Sequence, residues 1–258
     1  MVINFILFIL GAAIGSFLNV LIDRLPNEES IMGRSHCDYC KKQLPAWVNV
    51  PILSWFFLGG KTVCCKKPLS IQYPLIEFLT AVVFVGVGLY LHITVIDFIT
   101  VIKVISLLGI LSTLIVIFFA DAKYHIIPDS MQFLFLVFSV MYLVGEGLKP
   151  SPTYIQMVID GLIVMAPILL LFAATLGRGM GFGDVKLAFT MGVLLGRWNG
   201  LLALYIAFII GAVVGVIFIV VSKRKMKSKI AFGPFLVIGT LVMLFFSDFV
   251  LSFVVRLF

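Results

Sequence analysis

Residues 95–120 have the sequence VIDFITVIKVISLLGILSTLIVIFFA and end directly before Asp121. One helix needs roughly 20 apolar residues to cross a bilayer, so this run is predicted to be a membrane-spanning helix. Asp121 is then predicted to lie at the margin of the membrane. Because an ionisable group at that depth is costly, it is a functional candidate by default.

Seven other apolar runs resemble this one, and together they predict the fold. The 258 residues are 62% hydrophobic and only 12% charged, whereas soluble domains are about 45–50% apolar and about 25% charged. The predicted fold is an all-α polytopic membrane protein with about eight transmembrane helices. The eight runs cover residues 2–22, 75–91, 95–120, 127–144, 155–176, 185–196, 201–221 and 230–246.

The run 185–196 is short, and loop charge decides whether it crosses. With eight spans, 15 of the 19 Lys and Arg residues fall in loops on one side, which is then cytoplasmic. If the short run did not cross, the Lys-rich segment 223–229 would face outward.

The net charge of +7 is therefore a topology signal, and no nucleic-acid partner is expected. Segment 223–229 is expected to contact anionic membrane lipid, and Arg197 with Trp198 to lie at the outer interface.

Three regions follow from this topology. Residues 1–22 are predicted to form the first transmembrane helix, and residues 75–258 a membrane core of seven helices. Between them, residues 23–74 are predicted to form a small cytoplasmic loop domain that carries all four cysteines. About fifty residues are too few for a stable independent core without a metal or membrane packing.

A second acidic residue follows a glycine-rich stretch, GMGFGD, at residues 179–184. Glycine permits positive φ and close backbone approach, which a protease needs because its peptide substrate must lie extended beside the acid. Asp121 and Asp184 fall on the same predicted membrane face, and such a pair can share one proton and act as acid and base. The alternatives are an interfacial ion pair of Asp121 with Lys123 and an ordinary helix-start role for Asp184.

Several motifs extend this pattern along nearly the whole chain. With them the chain resembles the type IV prepilin peptidase family, whose members are membrane aspartyl proteases. The motifs are GSFLNV at 15–20, RLP at 24–26, RSHCDYC at 34–40, PILS at 51–54, LSIQYPLIE at 69–77, GMGFGDVKL at 179–187 and FGPFL at 232–236.

The resemblance implies that Asp121 and Asp184 are the catalytic residues. It implies prepilin or pseudopilin substrates with a short basic leader ending in Gly, cleaved after that Gly at the cytoplasmic face of the bacterial inner membrane. Proteolysis would need no cofactor. Many family members also methylate the new N-terminus with S-adenosylmethionine, so N-methyltransferase activity is a second expectation, although no motif here declares the site of that cofactor.

The cysteines suggest a metal site. Cys37 and Cys40 form a C-x-x-C motif on a cytoplasmic loop, where zinc is the usual interpretation. Cys64 and Cys65 are adjacent instead of spaced, and Thr62 stands where the family has its other cysteine. The predicted ligands of a structural zinc ion are therefore Cys37, Cys40, Cys64 and Cys65. His36 as fourth ligand and a thiol redox site remain alternatives.

Other functions and roles stay open at this point. A proton-coupled transporter would also use paired acidic residues in the membrane, and a methyltransferase without proteolysis is the third hypothesis.

Glu77 would contact either the basic leader or the new amine of a substrate, or pair with a loop lysine. Asp129 is predicted to be a helix-start acid favoured by the macrodipole. Lys186 either tunes the ionisation of Asp184 or simply marks the cytoplasmic end of a span.

Overall fold

The computed structural model describes residues 2–33, 35–37, 39–91, 97–145, 154–222 and 231–257. Within these residues the regular structure is helical, apart from two isolated β-bridges in the cysteine loop. The all-α prediction is thereby confirmed. The helices are α1 (Val2–Arg24), α2 (Leu53–Phe57), α3 (Gln72–Tyr90), α4 (Phe98–Tyr124), α5 (Asp129–Gly145), α6 (Tyr154–Ala174), α7 (Phe182–Ser222) and α8 (Gly233–Leu257), with a 3-10 helix at Ala46–Asn49.

Six of the described helices, namely α1, α3, α4, α6, α7 and α8, are long and apolar enough to cross a membrane. Helix α5 is apolar but has only 17 residues, and α7 is interrupted at Gly196. If α5 and the two parts of α7 are counted, the described residues contain eight apolar helical segments, as predicted. The chain is a multi-pass membrane protein.

The break in α7 is shorter than the sequence predicted. The predicted runs 185–196 and 201–221 leave residues 197–200 between two spans, but only Gly196 departs from helical geometry, with φ 75° and ψ 170°. A residue without a Cβ adopts this conformation without strain, so one residue is enough to redirect the helix. The Lys-rich segment 223–229 and the outer loop at 146–153 lie outside the described residues.

By its internal contacts the chain forms two compact units, Met1–Val116 and Ile117–Phe258. In the first unit, α1 packs against α3. A Cβ added to Gly15 would lie 2.7 Å from the Cα of Glu77, and one added to Gly11 would lie 2.7 Å from the Cα of Ala81. The two helices approach this closely because small residues line the contact.

In the second unit, α5, α6 and α8 each pack against α7. The buried contact is formed by apolar side chains from these helices. Other large apolar side chains of the same helices are exposed, as the faces that meet lipid must be. The fully buried side chains include Val164 and Ile168 of α6, Leu187 and Met191 of α7, and Leu236 of α8.

An ion pair joins α6 to α7 beside the Gly196 break. The carboxylate of Asp160 lies 2.9 Å from Nε of Arg197, and it also accepts a hydrogen bond from the side chain of Gln156 at 2.8 Å. Asp160 is 7% exposed. The sequence assigned Arg197 only to the outer interface, and nothing in its local pattern indicated a partner 37 residues earlier.

Candidate functional site

Asp121 lies in the last turns of α4 and is buried, with 6% of its surface exposed. Its Oδ2 accepts a hydrogen bond of 2.8 Å from the backbone N–H of Gly233, the first residue of α8. The first N–H groups of a helix have no partner inside the helix and carry partial positive charge. The start of α8 is therefore a favourable place for the carboxylate of Asp121.

Gly233 has no room for a side chain. A Cβ at this position would lie 2.6 Å from Oδ2 of Asp121. The sequence motif at 232–236 thus has a local physical reason: glycine lets the helix start approach the acid, and Pro234 follows at a position where a proline is tolerated in the first turn.

Asp184 lies in the first turn of α7 and is also 6% exposed. Its Oδ2 accepts a hydrogen bond of 3.2 Å from the N–H of Gly181, and its own N–H donates to the carbonyl of Gly181 at 3.2 Å. The first of these bonds is the one by which an acid at the third helical position caps the N–H of the residue before the helix. Its other oxygen, Oδ1, is buried without a hydrogen-bond partner among the described residues. Capping therefore occupies one oxygen and leaves the second available.

The two carboxyl groups belong to the same compact unit and are near enough for their charges to interact. They come from different helices and lie 63 residues apart in the sequence. Two like charges in a desolvated setting are costly, so such a pair holds one proton between them most readily. The structure thus brings together the two residues that the sequence singled out.

Of the glycines before Asp184, those at 179, 181 and 183 have ordinary backbone angles, and at Gly183 the lack of a side chain allows close packing. Gly177 has positive φ (72°), whereas Gly179, Gly181 and Gly183 do not. A Cβ on Gly183 would lie 3.2 Å from Cβ of Ile127. None of these three glycines uses the positive φ that glycine permits, and the approach of a substrate backbone stays a prediction.

Gln132 is a buried polar residue near Gly183, and its sequence pattern did not single it out. It lies on α5, is 5% exposed, and both its amide Oε1 and its Nε2 lack hydrogen-bond partners among the described residues. A Cβ on Gly183 would be 3.5 Å from its Nε2. A buried amide with neither donor nor acceptor satisfied is uncommon. Its place beside an otherwise apolar stretch near the start of α5 was the available sequence signal.

Lys186 pairs with Asp129 and not with the catalytic candidates. Its Nζ lies 2.7 Å from Oδ1 of Asp129, and both side chains are exposed. Asp129 is in the first turn of α5, as predicted. An exposed pair of this kind contributes about 0–1 kcal/mol, so its role is a surface contact between α5 and α7.

The four cysteines form a separate cluster in the first unit. Their sulfur atoms all lie within 4.8 Å of one another, with 3.7 Å between Cys37 and Cys65 and 3.1 Å between Cys40 and Cys64. The hydrogen bond between Cys40 and Cys64 lowers the pKa of Cys40 and raises the pKa of Cys64 to about 12. Because metals bind thiolates, occupancy of this cluster would release protons.

The cluster is built from two turns with the same hydrogen-bond pattern. In the first, the N–H of Cys37 donates to the carbonyl of Lys42 at 2.9 Å. In the second, the N–H of Thr62 donates to the carbonyl of Lys67 at 2.8 Å. The spacing is five residues in both, so Thr62 occupies the position that Cys37 has in the first turn.

Thr62 contacts the cluster without supplying a thiol. Its hydroxyl is 3.1 Å from the sulfur of Cys65 and accepts a hydrogen bond of 3.0 Å from the N–H of Lys67. Cys64, from the middle of the turn, brings the fourth sulfur instead. His36 is not a member of the cluster; its Nδ1 lies 3.5 Å from the guanidinium of Arg24.

Two family descriptions match the chain in succession. Residues 9–91 match the Bacterial Peptidase A24 N-terminal domain, and residues 108–216 match the Type IV leader peptidase family. No solved structure matches.

Curated proteins resemble the chain over most of its length, and those cited here are named Prepilin leader peptidase/N-methyltransferase. The protein of Aeromonas hydrophila is 27% identical, with 94% of this chain and 90% of the relative covered. The protein of Bacillus subtilis (strain 168) is 28% identical, with 98% of each covered. That of Neisseria gonorrhoeae is 28% identical over 90% of this chain and 86% of the relative.

Proposed function

Because this chain belongs to the type IV leader peptidase family, we propose that it removes the leader of type IV prepilins or pseudopilins and that Asp121 and Asp184 carry out the cleavage. The observation that supports these residues most directly is their meeting. Two buried carboxyl groups from different helices of one compact unit are near enough for their charges to act on each other, and each accepts a backbone N–H.

The two residues supply both proton transfers that peptide hydrolysis requires. One aspartate, ionised, takes a proton from water while the other, protonated, donates to the peptide carbonyl. The water oxygen forms a bond to the carbonyl carbon, the C–N bond breaks, and the leaving amine takes up a proton from the pair. The partnerless Oδ1 of Asp184 is an atom through which this pair can reach water or substrate.

The substrate class comes from the family and from charge. The curated relatives carry prepilin in their names, and such substrates are expected to have a basic leader that ends in Gly, followed by an apolar helix. The loops that hold most Lys and Arg residues of this chain indicate which side is cytoplasmic. Cleavage after that Gly is accordingly proposed at the cytoplasmic face of the bacterial inner membrane.

We also propose a structural zinc ion bound by Cys37, Cys40, Cys64 and Cys65. Zinc prefers four thiolates in a tetrahedron, and a Zn–S length of about 2.3 Å requires sulfur atoms about 3.8 Å apart. The four sulfur atoms, all within 4.8 Å of one another, need little movement to meet this geometry. The ion would fix the two turns of a loop that has little core of its own.

Methylation of the new N-terminal amine is the proposed second activity. It rests on the names of the relatives, which join leader peptidase with N-methyltransferase. The methyl donor would be S-adenosylmethionine. Neither aspartate of the peptidase pair is assigned a part in this step.

The test of the peptidase proposal is co-expression with a prepilin and mass measurement of the product. Asp121→Asn and Asp184→Asn keep side-chain size but remove the carboxyl group, and each is expected to slow leader removal by at least about 100-fold, because general acid–base catalysis contributes that much or more. Asp129→Asn is the matched control, since this acid is exposed and paired with Lys186. Normal processing in either of the first two variants, at wild-type amounts in the membrane, would refute the assignment.

A further inference from the structure

We propose that a cavity beside Glu77, in the first unit, binds an α-ammonium group for the methylation reaction. The inference rests on the proposed function and assigns a site to its second activity. The cavity has a volume of about 190 Å³. Side chains of α1, the cysteine loop and α3 line it, among them Asn19, Asp23, Trp55 and Glu77.

The charge of the lining favours a cation. The lining contains three carboxylates, those of Asp23, Glu29 and Glu77, and one guanidinium, that of Arg24. Asp23 also accepts a hydrogen bond of 3.1 Å from the hydroxyl of Tyr73. The guanidinium is itself engaged, since it donates to the carbonyl of Ser30 at 3.0 Å and lies 3.5 Å from a ring nitrogen of His36. The cavity therefore has an excess of negative charge that a bound cation would balance.

The hydrogen-bonding groups match an ammonium more closely. Asn19 is 3% exposed, and its amide N–H groups donate to the carbonyls of Gly15 and Tyr73, which leaves Oδ1 as a buried acceptor without a described partner. The carboxylate of Glu77 is a second buried acceptor in the same lining. An ammonium offers three N–H donors, and these acceptors would satisfy at least two.

One donor completes the pattern. Nε1 of Trp55 is buried and has no hydrogen-bond partner among the described residues. An α-ammonium is adjacent to a carbonyl or a carboxylate, in a peptide N-terminus as in a free amino acid. The indole N–H is a buried donor of this lining without a described partner, and it can donate to that oxygen. The lining therefore offers acceptors and a donor in the combination that an α-amino group and its carbonyl require.

The backbone near Glu77 is strained, and the carboxylate holds it. Ile52 has φ 63° and ψ −56°, and the carbonyl of Pro51 accepts the N–H of Leu53 across this residue. A β-branched residue rarely adopts positive φ. Its N–H donates to Oε2 of Glu77 at 2.6 Å. Such strain persists where surrounding contacts enforce it, and it is concentrated at functional sites.

The cavity volume limits what enters. A dry cavity of about 150 Å³ accommodates benzene, so 190 Å³ has room for an amino-acid-sized group. Two sources carry an α-ammonium group: the newly exposed N-terminus of the cleaved substrate, and the amino-acid end of S-adenosylmethionine with the rest of that molecule outside.

Binding to the purified full-length protein distinguishes the sources. Calorimetric titrations use S-adenosylmethionine, a short peptide with a free N-terminal amine, and the same peptide N-acetylated. We expect one of the two free amines to bind and the acetylated peptide not to bind. Binding of neither free amine, or equal binding of the acetylated peptide, overturns the inference.

Variants tie the binding to this cavity. Glu77→Gln is expected to weaken binding about tenfold or more, because hydrogen bonds to charged groups are the stronger ones. Glu28→Gln, outside the lining, is the matched control. Trp55→Phe removes the indole N–H and keeps an aromatic ring, so it serves if Glu77→Gln fails to fold. Unchanged affinity in the folded Glu77→Gln protein, or in Trp55→Phe where the first does not fold, overturns the inference.

Leader removal by the same preparations separates the two proposals. If the wild-type protein cleaves a prepilin but binds neither free amine, only the cavity assignment is refuted. A wild-type protein that cannot cleave a prepilin counts against the proposed function, whatever it binds.

Discussion

The contact between Gly233 and Asp121 makes a sharp prediction at the residue scale. In Gly233→Ala the new methyl group would meet Oδ2 of Asp121 at 2.6 Å. The start of α8 must then move, and the N–H of residue 233 no longer donates to Asp121. A hydrogen bond to a charged group is worth about 1.5–3 kcal/mol, and each 1.36 kcal/mol is about tenfold in rate. Leader removal is therefore expected to fall roughly 10–100-fold.

The control for this variant is Gly86→Ala in α3, where an added Cβ meets nothing within 4 Å. Rates of prepilin cleavage are compared at equal amounts of membrane-inserted protein. A Gly233→Ala protein as fast as the control would mean that the N–H of residue 233 has no part in the reaction.

The adjacent cysteines give a second residue-scale prediction. Cys64→Ser removes the fourth thiolate and is expected to reduce bound zinc well below one ion per chain. In the double variant Thr62→Cys, Cys64→Ser, the new thiol occupies the position equivalent to Cys37, and zinc binding should return because four thiolates are again available. Zinc per chain is measured by elemental analysis after purification without chelator.

Thr62→Ser is the control, since it keeps a hydroxyl beside Cys65. Full zinc content in Cys64→Ser would show that Cys64 is not a ligand. Failure of the double variant to recover zinc would mean that the two turns are not equivalent.

Some features of these sites could be predicted from the sequence and others could not. Asp121 and Asp184 could be selected from the sequence because each lies where an apolar run meets a polar stretch and both fall on the same predicted membrane face. The backbone N–H of Gly233 could not be predicted as the donor to Asp121, because the two residues are 112 positions apart in the sequence. The use of Cys64 stayed open because the reach of a thiol from the middle of a turn depends on backbone angles that spacing does not specify.

At the scale of helices, the ion pair between α6 and α7 is the feature to test. Asp160 is nearly buried, whereas the side chain of Arg197 is 41% exposed. Breaking a fully buried pair costs about 3–5 kcal/mol, and exposure reduces this, so Arg197→Gln is expected to destabilise the protein by about 1–3 kcal/mol. Thermal unfolding in detergent measures the change.

The double variant Asp160→Asn, Arg197→Gln removes both charges and should be more stable than Arg197→Gln alone, because no uncompensated charge is left among the helices. Equal stability of the single variant and the wild type would show that the pair contributes nothing at this position.

The helices themselves were largely predictable. Apolar runs at 2–22 and 75–91 became Val2–Arg24 and Gln72–Tyr90, within the few residues by which helix ends vary. The exceptions are α7, where the four residues between two predicted runs are helical and the break is a single glycine, and α8, which ends at Leu257, eleven residues after the predicted run. Hydropathy locates apolar segments, but it does not distinguish a loop from a one-residue break inside a helix.

For the whole molecule, the side of the membrane is the property that charge predicts. An alkaline phosphatase fused after residue 148 is expected to be active outside the cytoplasm, and one fused after residue 229 is expected to be inactive, because the latter follows the Lys-rich segment. Enzyme activity of the two fusions, at equal expression, measures the topology. Activity of the second fusion would place this segment outside and make the count of eight spans wrong.

Composition alone predicted the membrane class, since 62% hydrophobic residues cannot be buried in a water-soluble domain of this size. The three predicted regions, 1–22, 23–74 and 75–258, remain a prediction. Contacts divide the chain at residues 116 and 117, inside α4, and a division within one continuous helix leaves no loop or composition change for a sequence to reveal.

The order of synthesis gives the Asp121–Gly233 hydrogen bond a further meaning. A ribosome completes both acids long before it reaches α8, so if they form the proposed peptidase pair, the nascent chain holds that pair without this donor throughout the interval. A polypeptide that stalls or is truncated before residue 233 would insert most of its helices and still leave Asp121 without this donor. In the proposed peptidase, catalytic competence would thus arise only once α8 has been translated.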